Sequence, residues 1–112
     1  MGLFDKIKKN FELKQSTPNL ESIKNTQNKI IQLKKQFEEN PDNCKILTEL
    51  YTCYVEISDT EKKIECLKNI SQLSPDDFYS FQQLADIYLN ELDDIGQAQI
   101  YQNHANKIKN SF

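Results

Sequence analysis

The sequence predicts an all-α fold, and three observations carry that prediction. In 112 residues there are two glycines, three prolines and a single valine, Val55. A β fold needs turn residues and β-branched strands at short intervals. Apolar residues instead recur every three or four positions, the spacing of one helix face. The punctuation NPDN at residues 40–43 also returns as SPDD at 74–77, thirty-four positions later. A period of that size marks a helical repeat rather than a single bundle.

Each element follows from local signals. A first helix over about residues 3–14 carries Leu3, Phe4, Ile7 and Phe11 on one stripe. The pairs Thr17-Pro18, Asn40-Pro41 and Ser74-Pro75 each place a capping residue type before a proline. Proline suits the first helical position, so each pair is expected to open a helix. Leu20, Ile23, Ile30, Leu33 and Phe37 then define a helix of roughly 18–39. Ile46, Leu47, Leu50, Tyr51, Tyr54 and Val55 define one ending near Ile57. Ser58 and Glu61 have capping-box spacing and should start the next, whose face is Ile64, Leu67, Ile70 and Leu73. Phe78, Phe81, Leu84, Ala85, Tyr88 and Leu89 repeat the 46–55 pattern. Ala98, Tyr101, Ala105 and Ile108 form the last face. The total is about six helices joined by short turns.

Taken in pairs, these helices carry residues that resemble the tetratricopeptide repeat family over about residues 40–110. Leu47, Leu50, Tyr54, Leu67 and Pro75 fill that pattern's Trp, Leu, Tyr, Phe and closing Pro slots. In the next unit Phe81, Leu84, Ala85 and Tyr88 fill the first helix. Ala98 and Ala105 fill the second, once one extra residue is allowed in the turn between. Tyr51, Lys63 and Ile70 depart from the family, standing where it prefers small residues. The resemblance implies a right-handed array of helix–turn–helix units, an α-solenoid. Lys63 is expected to lay its stem along the core with its amine in water. The organisation expected is an amphipathic N-terminal helix (1–15), a long helix serving as degenerate repeat or cap (18–39), and two units (40–74 and 75–112). Two units alone are marginal, because stacked repeats need about three or a cap.

Members of the family bind peptides or partner helices on the concave face formed by the first helix of each unit. Carried onto this chain, that face consists of Lys45, Thr48, Thr52 and Val55, then Tyr79, Gln82, Asp86 and Leu89. Tyr79 is the expected anchor, since aromatics concentrate binding energy. Family members that grip a C-terminal carboxylate use Lys and Asn where this chain has Thr48 and Thr52, which disfavours that specialised role. The function expected is a small adaptor that binds another protein through a peptide or helix.

The N-terminal stretch is a second candidate surface. Leu3, Phe4, Ile7 and Phe11 are accompanied by Lys8 and Lys9, a composition able to touch an anionic membrane weakly, to dock on a partner or to dock on the body. A peripheral membrane module and a structural homo-oligomer are therefore the alternatives to the adaptor. Residues 1–37 hold eight lysines and three acids, a balance of +5; residues 38–112 hold six lysines and fourteen acids, a balance of −8.

Other functions find little support. Arginine is absent, which removes bidentate phosphate recognition and argues against nucleic-acid partners. His104 is the sole histidine and has no nucleophile near it in sequence, and no glycine-rich phosphate loop is present. Enzymatic activity, a cofactor and a metal site are not expected. Cys44, Cys53 and Cys66 are odd in number and lack CxxC spacing, so free thiols in a reducing compartment are expected. The N-terminus has no apolar signal region, no stretch is long enough to span a bilayer, and Lys6 stands where a myristoylation signal needs Ser or Thr. The expected location is the cytoplasm.

Overall fold

The structure, a computed structural model, describes residues 20–111. Five helices and no strand occur among them: α1 (Leu20–Glu39), α2 (Cys44–Glu56), α3 (Thr60–Leu73), α4 (Phe78–Asn90) and α5 (Ile95–Ser111). The helix expected over 3–14 and the Thr17-Pro18 start lie outside the described residues. Backbone contact between elements runs α1 to α2, α2 to α3, α3 to α4 and α4 to α5. Such a chain of neighbours is the contact pattern of a helical repeat array, in which each element rests on the adjacent ones.

The thirty-four-residue punctuation has a different local meaning from the one expected. Pro41 and Pro75 sit in turns, ahead of the helices they were expected to begin. Asn43 donates its backbone N–H to the Asn40 carbonyl at 3.1 Å, and Asp77 donates to Ser74 at 3.0 Å. Proline thus occupies the second position of a four-residue turn, where its fixed φ is already correct and no N–H is required. The fourth residue of each turn is the N-cap. The Asn43 side chain accepts from the N–H groups of Lys45 and Ile46, and the Asp77 side chain accepts from that of Tyr79.

The Ser58–Glu61 capping box does not form. Asp59 caps α3, its carboxylate accepting the Lys62 N–H at 3.2 Å, while Ser58 adopts a left-handed φ of 58°. Ser58 ends α2 instead: its N–H reaches the Val55 carbonyl, and that of Asp59 reaches Tyr54. Those two bonds make a Schellman motif with serine in the place usually held by glycine. At the equivalent turn after α4, the Asp94 N–H reaches the Tyr88 carbonyl and Asp93 holds the left-handed position at φ 52°. Tyr54 and Tyr88 are thirty-four residues apart, whereas Asp59 and Asp94 are thirty-five apart. The inserted residue that the sequence pattern requires is therefore in this turn.

Three apolar clusters follow one another along the array. Ile30 and Leu33 of α1 pack with Ile46, Leu50, Cys53, Tyr54 and Cys66, flanked by Phe37, Tyr51 and Ile57. Leu67, Leu84 and Ile87 join α3 to α4, flanked by Tyr51, Ile64, Tyr88 and Tyr101. Phe81, Ala105 and Ile108 join α4 to α5. Leu20, expected on the core face of α1, is exposed, because it lies at the helix end beyond the reach of α2. Tyr51 belongs to the edges of two clusters. Its ring fills the space between α2, α3 and α4, and its hydroxyl bonds the Gln83 side chain at 3.3 Å.

Lys63 also departs from expectation. It is buried in the core rather than snorkelling to water, and its ammonium lies 2.8 Å from both carboxylate oxygens of Glu91. A buried ammonium needs such a partner, and the C-cap of α4 supplies it.

Candidate interaction surfaces

The eight residues expected on the binding face fall into two repeat-related sets, on α2 and α4. Lys45, Thr48, Thr52 and Val55 are all exposed on α2. The Thr48 hydroxyl donates to the Cys44 carbonyl at 2.9 Å and the Thr52 hydroxyl to the Thr48 carbonyl at 3.0 Å. Both are committed to their own helix, as mid-helix threonines often are. On α4, the Gln82 amide exchanges two hydrogen bonds of 2.9 Å with Gln102 of α5 and donates a third, of 3.1 Å, to Asp86. The apolar members of the row remain open: Val55 is 46%, Tyr79 57% and Leu89 48% exposed. The side chains of this row left without an internal hydrogen bond are therefore the apolar Val55, Tyr79 and Leu89 and the exposed Lys45, whereas Thr48, Thr52 and Gln82 are bonded within the array.

Asp86 and Leu89 also belong to a second feature, which sequence reasoning missed. Together with Ala85 they form one wall of a cleft of about 440 Å³ between α4 and α5. Ile95, Ala98, Gln99, Gln102 and Asn103 form the other wall. Its sequence signal lay in the repeat itself. Positions equivalent to these walls in the preceding pair, such as Tyr51, Ile64 and Leu67, are the ones that α4 covers.

Among the described residues, no group of three or more His, Cys, Asp or Glu side chains is placed to hold a metal ion. All three cysteines are free; Cys53 and Cys66 are buried, and burial pushes the Cys66 thiol up to about 12. His104 stacks on Phe81 with ring centroids 4.1 Å apart. Among the described residues no helix is long and apolar enough to cross a membrane. Leu3, Phe4, Ile7, Phe11, Lys8 and Lys9 lie outside the described residues.

Comparison with known proteins gives one family. The sequence pattern of the tetratricopeptide repeat protein 21 ARM repeat matches residues 3–106, so the match extends through α1 and the N-terminal segment as well as the two units evident in the sequence. No curated protein and no solved structure matches. A helical repeat domain of this kind is a protein-interaction module. With five consecutive packed helices among the described residues and a match that spans nearly the whole chain, this protein belongs to the tetratricopeptide repeat protein 21 ARM repeat family.

Proposed function

We propose that the chain is an adaptor that binds a peptide or helical segment of a partner protein along the exposed face of α2 and α4. The observation that carries this reading is the exposure of Val55, Tyr79 and Leu89 on helices whose polar neighbours are already hydrogen-bonded internally. Such a face offers apolar anchors, and because the donors of Thr48, Thr52 and Gln82 are already paired, a ligand that covers them leaves none unsatisfied. Lys45 supplies one positive charge to the face. A thiol-bearing chain without disulfides fits a cytoplasmic setting. In this reading α1 acts as the second helix of a degenerate first unit, and the two later pairs present the binding face.

The test is affinity capture from the source cell with wild type beside a Val55→Asp/Tyr79→Ala variant, followed by titration of the captured partner. A single partner that binds at 1:1 and loses about tenfold or more in affinity with the variant supports the adaptor. Equal binding by both proteins, with matching circular dichroism, overturns it.

A further inference from the structure

We infer that the α4–α5 cleft is a socket for residues 3–14 of a second copy of this chain, so that copies associate head to tail. This inference is independent of the α2/α4 face. It rests on the internal repeat, which shows within one molecule what an occupied socket looks like.

At the occupied junction, α4 rests on α2 and α3 through six residues. Tyr51 bonds Gln83, Thr60 and Lys63 bond Glu91, Ile64 and Leu67 pack with Leu84 and Ile87, and the Lys68 ammonium lies 6.0 Å from the Tyr88 ring centre. Moving thirty-four residues on from Tyr51, and thirty-five from the α3 residues, reaches Ala85, Ile95, Ala98, Gln99, Gln102 and Asn103. All six line the cleft. The cleft is therefore the same surface one repeat further along, and no described helix covers it.

The substitutions between the two sockets specify the occupant. Tyr51 and Lys63 give way to Ala85 and Ala98, which leaves room for larger incoming side chains. Thr60, which holds the Glu91 carboxylate, gives way to Ile95, which is exposed. The seating helix should then carry an apolar residue where α4 carries Glu91. Leu84, Ile87 and Glu91 of α4 have the spacing of Phe4, Ile7 and Phe11. In that register Phe4 and Phe11 are the bulkier residues that the two alanines admit, and Phe11 meets Ile95 and Ala98 in place of the Glu91 tether. Charge agrees: Asp86 is the one charged residue among those lining the cleft, the adjoining turn carries Asp93 and Asp94, and the incoming segment sets Lys6, Lys8, Lys9 and Lys14 against Asp5 and Glu12, a balance of +2. Two clefts meeting face to face would oppose Asp86 to Asp86 and leave the alanines unfilled, so the contact is heterologous and propagates with concentration.

The test uses the full chain and two variants in sedimentation velocity. Wild type should rise above 13.1 kDa as concentration increases. Phe4→Ala/Phe11→Ala removes the plug, Gln99→Arg/Asn103→Arg blocks the socket with like charge, and each should weaken self-association by about tenfold or more. Mixing the two variants should restore association as a 1:1 heterodimer that grows no further, because each supplies the half the other has lost. A Tyr79→Ala variant should associate like wild type. A constant monomer mass for wild type, undiminished association by either variant, or a mixture that stays monomeric overturns the inference.

Discussion

Lys63 and Glu91 form the charged link between α3 and α4, with the ammonium 2.8 Å from each carboxylate oxygen. The Thr60 hydroxyl donates to the same carboxylate at 2.8 Å. One repeat earlier, Thr26 of α1 donates to Glu56 of α2 at 2.8 Å. In both places a threonine on one helix holds a carboxylate at the C-terminal end of the next. A carboxylate there is opposed by the helix dipole, so the tether offsets a local penalty while it sets the register between neighbours.

The two members of the Lys63–Glu91 pair should respond unequally to replacement. The Lys63 side chain is 11% exposed and that of Glu91 38%. Lys63→Met keeps the buried stem and lets Glu91 turn to water, so it should cost under about 1 kcal/mol. Glu91→Gln leaves an ammonium buried with only a neutral partner and should cost about 1–3 kcal/mol. Urea unfolding of both variants checks the order, and equal losses would contradict the asymmetric burial.

The same pair makes stability depend on pH in the acid range. Hydrogen bonds from Lys63, reinforced by Thr60, hold the Glu91 carboxyl below the usual carboxylate range against the opposing effect of burial. A group whose folded pKa is depressed contributes stability above its unfolded pKa, and loses it as pH falls through the folded value. Wild type should therefore lose more stability than Glu91→Gln between about pH 5 and pH 3. Thermal melts of the two proteins at several pH values decide it; parallel profiles would assign acid sensitivity to other carboxylates.

The helix faces were readable because each apolar stripe is a local pattern, and burial followed it at Ile30, Leu33, Leu50, Leu67, Leu84 and Ala105. Repeat phase was readable for the same reason, down to the residue inserted before Asp94. Helix starts were misread where two capping residues compete. Asn40 and Asn43, Ser74 and Asp77, and Ser58 and Asp59 all have capping chemistry, and only the folded turn selects the later one. Lys63 was misread because its partner Glu91 is twenty-eight positions away, and the bond from Tyr51 to Gln83, thirty-two positions away, left no local signal. For the candidate site, the α2/α4 row came from the family resemblance, and no local pattern could reveal that Gln82 is held by Gln102 across the pair.

Tyr51 is expected to act as a core residue although it fills a slot that the family keeps small. Its ring borders both the α1–α3 and α3–α5 clusters, and burial raises its phenol pKa, helped by the neighbouring phenol of Tyr79 and the carboxylates of Glu91 and Asp86. Tyr51→Phe loses one long hydrogen bond and should cost under about 1 kcal/mol. Tyr51→Ala opens a void between three helices and should cost about 3 kcal/mol or more. A stabilising Tyr51→Ala in denaturant titration would show that the ring is strained in place, not packed.

The three thiols should be distinguishable by alkylation. Cys53 and Cys66 are buried, and burial is the leading cause of the raised pKa of both. Cys44 is only half-buried near the start of α2. Because the thiolate is the reactive form, iodoacetamide at pH 8 should modify Cys44 first in the folded protein. The other two should react only after unfolding, in a cooperative step visible by intact mass. Early modification of Cys66 would mean that α3 opens locally.

The turn between α2 and α3 separates its two functions by residue. Ser58 occupies a left-handed conformation that costs a non-glycine residue about 1–2 kcal/mol. Glycine removes that strain but adds freedom to the unfolded chain, so Ser58→Gly should stabilise by a net ~0.5 kcal/mol. Asp93→Gly should gain less, because aspartate tolerates the left-handed region better than serine does. Asp59→Ala removes the carboxylate that caps Lys62 and should cost about 1 kcal/mol. Had the capping box at Ser58 formed, Ser58→Gly would destabilise and Asp59→Ala would be close to neutral. Melting temperatures of Ser58→Gly and Asp59→Ala therefore decide which residue begins α3, and opposite signs for the two are the expected result.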